Sequence, residues 1–390
     1  MIYFSAAGMV NALGRSLDEI SENLVCGRAP GMKDRPAWLQ SGSPCRLGGV
    51  DGDLPEIPDG FARHRSRNNR LLLAALEPVR SKVDEAIARC GEDRVAIVLG
   101  TSTSGLDEAD QQASSLLNGK GPVPSYDYYQ QELGDPSRFL AALLGLSGPS
   151  YTISTACSSS ARAIISGRRL IESGMADAAL VGGADTLSRM TVNGFDSLEA
   201  LSPTLCQPFC RDRDGITIGE GAALMLLSRE PQPVALLGVG ESSDAWHMSA
   251  PHPEGKGAAR AIAAALQDAK LAPDDIGYVN LHGTGTRLND QVEALVMNRA
   301  FEGRVPCSST KYLTGHMLGA AGAGEALLCW LLLTRDLPLP KQDFSRSPPD
   351  ETLPDCGLLH SPAGLKKKNI LSSSFGFGGN NACLILGLRE

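Results

Sequence analysis

Apolar residues in this chain gather into short continuous runs, separated by longer stretches with a helical repeat. Ile2 to Val10, Val95 to Gly100, Ala178 to Gly183, Val234 to Gly240 and Ile276 to Leu281 have the length and branched content of buried strands. Tyr151 to Thr155 is a shorter run of the same kind, and Pro306 to Lys311 reads as a further strand. Between them, Ser16 to Val25, Leu71 to Cys90, Tyr126 to Leu144, Ala161 to Gly174, Gly257 to Lys270 and Gly322 to Leu333 show helical spacing. Ser16 suits an N-cap. Residues 27–60 and 202–215 are rich in Gly, Pro or Asp and predict loops. Strands alternating with helices predict an α/β fold.

The pattern restarts after Pro231 to Pro233. Gly215 to Leu227 is a Gly-rich turn feeding an apolar strand, and Ile370 to Leu386 repeats that arrangement near the end of the chain. This predicts two similar halves, residues 1–230 and 231–390.

Composition narrows the function classes. With 390 residues, 42% of them hydrophobic, the chain can bury a large core. A formal charge of -8, no long basic run and few aromatics argue against nucleic-acid binding. The 10 cysteines have no disulfide-framework spacing, so a reducing, cytoplasmic setting is expected. The first ten residues lack a basic leader and read as a strand rather than a signal peptide. Ala320 to Leu333 is interrupted by Glu325 and is too short to span a bilayer. Cys206 and Cys210 have no second pair and no nearby histidine, so no metal site is expected there.

The candidate chemistry centres on Cys157, between the Tyr151 strand and the following helix. Most free cysteines are small buried hydrophobes. A helix start, however, favours a thiolate, and Ala156, Ser158 and Ser159 leave room for a substrate. Three further segments place chemistry on Gly-rich loops. They are His282-Gly-Thr-Gly-Thr286, Lys311-Tyr-Leu-Thr-Gly-His316 with Gly319-Ala-Ala-Gly322, and Gly376-Phe-Gly-Gly-Asn-Asn381.

Together, in this order, these segments resemble the β-ketoacyl-acyl-carrier-protein synthases of the elongating Cys-His-His type. Asp244-Ala-Trp-His247-Met also resembles a family segment. The resemblance implies the thiolase fold, with two α/β halves in an α-β-α-β-α stack. It also implies a ping-pong reaction. Cys157 would take an acyl chain from acyl carrier protein, and malonyl carrier protein would lose CO2. The resulting enolate would then attack the acyl-Cys carbonyl.

The same resemblance assigns roles. His282 and His316, as neutral imidazoles, would hydrogen-bond the malonyl thioester oxygen. The backbone N–H groups of Cys157 and Phe377 would form an oxyanion hole. Lys311, with Glu325, would set local electrostatics. Thr284 and Thr286 would bind the amides of a phosphopantetheine arm, and Phe377 with Phe375 would gate the acyl pocket. No cofactor is implied beyond that carrier-borne arm. Arg63, Arg65, Arg67 and Arg70 would dock the acidic carrier protein, although a solvated helix face is the ordinary meaning of such a cluster.

Gly285 stands where Ser is common in the family, and Asn380 where Thr or His is common. The 202–215 loop is short. These departures bear on substrate preference and leave a specialised polyene or polyketide pathway open beside fatty-acid elongation. A homodimer is the default expectation, with a heterodimer open. The alternatives are a thiolase, an initiating synthase or a non-catalytic chain-length-factor-like subunit. Gly315-His316 argues against the initiating type. Cys157 with both histidines argues against the non-catalytic subunit.

Overall fold

The computed structural model describes residues 1–389. Ten strands form its main sheet: β1 (Ile2–Val10), β2 (Val95–Gly100), β3 (Ser150–Ile153), β4 (Ala178–Asp185), β5 (Gly221–Ser228), β6 (Val234–Ser243), β7 (Tyr278–Asn280), β8 (Cys307–Ser308), β9 (Asn369–Gly376) and β10 (Asn380–Leu388). Their spatial order is β8-β7-β9-β10-β6-β1-β5-β4-β2-β3. Counted from the centre, each strand of the first half faces its counterpart five numbers later in the second. The two halves join edge to edge where Ile2 and Tyr3 pair antiparallel with Leu236 and Ala235.

Side-chain alternation along these strands builds three cores. Ala96 and Val98 face inward with Val181 and Met225, while Ile97, Leu99, Leu180 and Leu224 face the outer helices. In the second half Tyr278, Ile370 and Leu384 face inward, and Val279, Leu371 and Ile385 face outward. The labelled helices are α1 (Arg67–Leu76), α2 (Asp135–Leu144), α3 (Ser159–Glu172), α4 (Lys256–Ala269), α5 (Arg287–Phe301) and α6 (Ala321–Thr334). Helices α3 and α6 fill the space between the two half-sheets. Helices α1 and α2 cover one outer face, and α4 and α5 the other. This is the α-β-α-β-α stack. Helix α6 is apolar on every side, which suits a helix with no solvent face.

Several boundaries differ from the sequence reading. The helix expected to reach Cys90 ends at Leu76. Pro78 lies in a tight turn over Glu77–Val79, and a second helix runs from Arg80 to Cys90. Of Tyr126 to Leu144, only Asp135–Leu144 is α-helical, after a short turn at Tyr128–Gln131. The Pro306 strand stops at Ser308, because Lys311 opens a short helix over Lys311–Thr314. Helices Leu106–Leu117, Arg189–Ser197 and α5 were not foreseen. No described helix is long and apolar enough to cross a membrane.

Candidate active site

Strand β3 ends at Ile153 and α3 begins at Ser159, so Cys157 sits on the bend between them, two residues before the helix proper. Ala156 has φ +51, a left-handed conformation that costs a residue with a Cβ. Local hydrogen bonds hold it. Ser159 Oγ accepts from the Thr155 N–H at 2.9 Å and donates to the Ala156 carbonyl at 2.6 Å. The helix start lies directly on the end of β2, where a Cβ on Gly100 would come within 2.2 Å of Ser160 N. Ser160 Oγ in turn accepts from the Ala323 N–H at 2.8 Å, which ties α3 to α6.

A buried acid braces this region. Asp185, at the end of β4, accepts from Thr101 Oγ1, the Ser102 and Thr103 N–H groups, Thr103 Oγ1 and the Ala320 N–H. It thereby fixes the loop after β2 to the turn that precedes α6.

The second half supplies the histidines. His282 follows β7, and its N–H and that of Gly283 each donate to Glu293 of α5 at 2.7 Å. Lys311 is ion-paired with Glu325, and its Nζ lies 3.4 Å from His282 Nδ1. Both Lys311 and Glu325 are 1% exposed. His316 Nε2 lies 3.0 Å from Cys157 Sγ. The two imidazoles meet edge to face, with centroids 5.4 Å apart. The Cys157, His282 and His316 donor atoms all lie within 4.8 Å of one another. Among the described residues this is the only Cys, His or acid cluster of that tightness, and Cys206 and Cys210 belong to none.

Burial, reinforced by the Lys311 charge, holds both imidazoles well below the ordinary histidine range, so both are neutral at neutral pH. A Lys311 ammonium donating to Nδ1 places the His282 proton on Nε2, which makes Nε2 a donor. Burial pushes the Cys157 thiol up to about 11, against the opposing pull of the Phe377 N–H, Lys311 and its own N–H. Burial thus opposes the thiolate that the helix start favours. His316 Nε2 is the ring nitrogen in reach of the thiol.

A cavity of about 350 Å³ opens over these groups. Thr284 and Thr286 line it, with their hydroxyl oxygens 3.0 Å apart, and so do Phe375 and Phe377. Phe375 packs against His282, with centroids 6.2 Å apart. Phe377 opens a tight turn over Phe377–Gly379 and stacks on Phe195 at 5.8 Å. Gly378 and Gly379 have φ +77 and +72, which suits glycine alone. The turn is latched from outside. Asn381 Nδ2 donates to Asp244 at 2.8 Å, the Asp244 N–H to the Gly379 carbonyl at 2.8 Å, and the Gly378 N–H to the Met248 carbonyl at 2.7 Å. The sequence singled out the Asp244 segment but not this contact. It also missed Phe195, Asp185 and Glu293, which no local motif marks.

The arginine cluster divides. Arg67 is spent on buried Glu220, at 2.6 and 2.8 Å, and Arg70 on the carbonyls of Leu54 and Pro55. These two side chains are engaged within the protein, which sets them apart from the other two members of the expected dock. Arg63 and Arg65 are exposed, with Arg63 stacked on Tyr129 at 3.6 Å and Arg65 3.5 Å from Asp59.

Residues 47–232 match the family model for the beta-ketoacyl synthase N-terminal domain, and residues 234–344 that for the C-terminal domain. A 3-oxoacyl-[acyl-carrier-protein] synthase 2 from Synechocystis is 30% identical, over 98% of this chain and 97% of its own. One from Staphylococcus aureus is 32% identical over 82% of both. Among solved structures, a ketosynthase in complex with its chain length factor from Xenorhabdus doucetiae gives a TM-score of 0.98 at 65% identity, covering 100% of this chain and 98% of that one. A beta-ketoacyl synthase from Burkholderia phymatum gives 0.89 at 29% identity, covering 100% and 99%. With the Cys-His-His cluster in place, this chain belongs to the β-ketoacyl-acyl-carrier-protein synthases of the elongating type, acyltransferases built on the thiolase fold.

Proposed function

We propose that Cys157 is the acyl-accepting nucleophile and that His316, His282 and Lys311 divide the remaining proton and charge work. The carrying observation is the 3.0 Å contact of His316 Nε2 with Cys157 Sγ, beside a His282 whose Nδ1 faces Lys311. In the first half-reaction His316 accepts the thiol proton as sulfur attacks the carrier-bound thioester. The backbone N–H groups of Cys157 and Phe377 stabilise the oxyanion, which collapses as the carrier's thiolate leaves and takes the proton back from His316. In the second half-reaction malonyl carrier protein loses CO2. His282 donates Nε2–H to the thioester oxygen as it gains charge, and His316 assists. The enolate carbon attacks the acyl-Cys carbonyl, and the Cys157 thiolate leaves.

Thr284 and Thr286 bind the amides of the incoming arm. Phe377, hinged on Gly378 and Gly379, closes the acyl pocket, with Phe375 behind it. Glu325 keeps Lys311 charged. Arg63 and Arg65 are the cluster members free to meet an acidic carrier protein. The fold divides at the 230/231 link, with the nucleophile in one half and the histidines in the other. The substrates arrive on the phosphopantetheine arm of the carrier, with no further cofactor. A cytoplasmic location suits such carrier-bound substrates. The working unit is a heterodimer with a chain-length-factor subunit rather than the default homodimer. The 65% identity to a ketosynthase solved with such a partner supports this.

Intact-mass analysis tests the reading. The protein is mixed with carrier protein bearing a short acyl chain, and malonyl carrier protein follows. The expected result is a mass gain equal to the acyl group, absent in Cys157→Ser and discharged by malonyl carrier. No adduct with any chain, with or without a chain-length-factor partner, would overturn it.

A further inference from the structure

The cavity over Cys157 carries one permanently cationic residue, Arg287. Its two imidazoles are neutral. Its other charged lining groups are acids: Glu199, Asp214 and Asp244. Asp244 is engaged by Asn381 and by the His252 N–H. Arg287 itself is exposed, and among the described residues its guanidinium makes no hydrogen bond and no ion pair. Glu199 and Asp214 share the cavity lining with it, and neither is paired with it. Asp212 pairs with Arg211 and Ser347, and Asp290 and Asp350 face Arg213.

Exposure rises steadily along this wall. His282 is 2% exposed and Thr284 6%, Thr286 is half-buried, and Arg287 stands in solvent at the mouth. A pantetheine arm reaching Cys157 carries its chemistry in that same sequence. The thioester is innermost, the two amides lie along the shaft, and a phosphate lies at the outer end. An anion entering a mouth lined by Glu199 and Asp214 meets repulsion unless a cation offsets it. A guanidinium, with its fork of donors, is the side chain best matched to phosphate oxygens.

We infer that Arg287 binds the phosphate of the phosphopantetheine arm and makes the site discriminate phosphorylated from unphosphorylated arms. This rests on the pantetheine reading of Thr284 and Thr286. The phosphate can belong to carrier protein or to free coenzyme A thioesters, which share that group.

The test uses acyl thioesters of phosphopantetheine and of pantetheine, identical except for the phosphate, with the purified protein and any subunit that accompanies it. The readout is the ratio of kcat/KM for acylation of Cys157 by the two. Wild type is expected to prefer the phosphorylated arm by about tenfold, the scale of one charge-assisted contact at a solvent-exposed mouth. In Arg287→Ala the ratio falls to about one, and Arg287→Lys retains part of it. The preference also weakens with added salt. Acyl carrier protein and acyl coenzyme A, run beside these, show which phosphate source loses more in Arg287→Ala. A wild-type ratio near one, or one unchanged in Arg287→Ala, overturns the inference while leaving the condensing reaction intact. Failure of every thioester to acylate Cys157 would instead count against the proposed function. In that case ligand-observed NMR with free phosphopantetheine and free pantetheine decides the matter, and equal binding overturns the inference.

Discussion

The two halves of this protein share a strand order and use it differently. In the first half the strand ends are occupied by scaffolding. Asp185 gathers five donors around the loop after β2, and the strained bend at Ala156 presents one reactive atom, Cys157 Sγ. In the second half the corresponding strand ends carry charge control. His282 follows β7, Lys311 and His316 follow β8, and Phe377 follows β9. The buried acids differ in the same sense. Asp185 orders backbone and hydroxyl groups, whereas Glu325 holds a cation and Glu293 holds the His282 loop. On the proposed roles, a duplicated frame thus separates presenting a nucleophile from managing protons.

The sharpest break of that division is at Cys157. Cys157→Ala is expected to remove acyl transfer by more than about 1,000-fold, because no second thiol lines the cavity. Alkylation adds a second reading. With the thiol pushed up to about 11, the thiolate fraction, and so the iodoacetamide rate, should keep rising beyond pH 9 and not level there. A plateau below pH 9 would mean that the helix start outweighs burial after all.

Lys311 tests the other half. Removing one partner of a buried ion pair leaves an uncompensated charge, so Lys311→Met should destabilise the fold by about 3–5 kcal/mol in denaturant titrations. Replacing Glu325 as well, by Met, should recover part of that loss. If the single and double variants are equally unstable, the pair is not coupled as its contact implies. Next in size is His282→Ala. It should slow malonyl decarboxylation by about 100- to 1,000-fold while acylation of Cys157 persists. Equal loss of both half-reactions would dissolve the separation between the halves.

Much of this was legible in the chain. Buried strands betray themselves by continuous apolar runs, and Cys157, His282, Lys311 and His316 sit in short motifs with glycines that only close approach requires. The unreadable part is long-range and electrostatic. Glu293 is an ordinary helical glutamate until folding sets it under two N–H groups ten and eleven residues back in the chain. Arg67 and Arg63 look alike in sequence, and only Glu220, 153 residues away, makes one of them scaffold. The burial of Cys157 belongs to the same long-range part. A helix start is local and visible, while the burial that opposes it is not.

Glu293 gives the smallest and most specific test. Burial raises its carboxyl from 4.5 to about 7 in the folded protein. Between those values the native state holds a proton that the unfolded chain has released. Unfolding stability must therefore fall as pH rises through that window, and change no further from this group above about 7. Melting curves from pH 4.5 to 7 should show the decline, and Glu293→Gln should flatten it. A wild-type profile without that slope would remove the burial argument for Glu293. The ionised form is the better acceptor for the His282 and Gly283 N–H groups, so the loop that positions His282 is best held where the carboxylate costs the fold most. Cys157, titrating near 11, adds nothing in that range. Glu293, which braces the His282 loop, changes protonation near neutrality, and Cys157 does not.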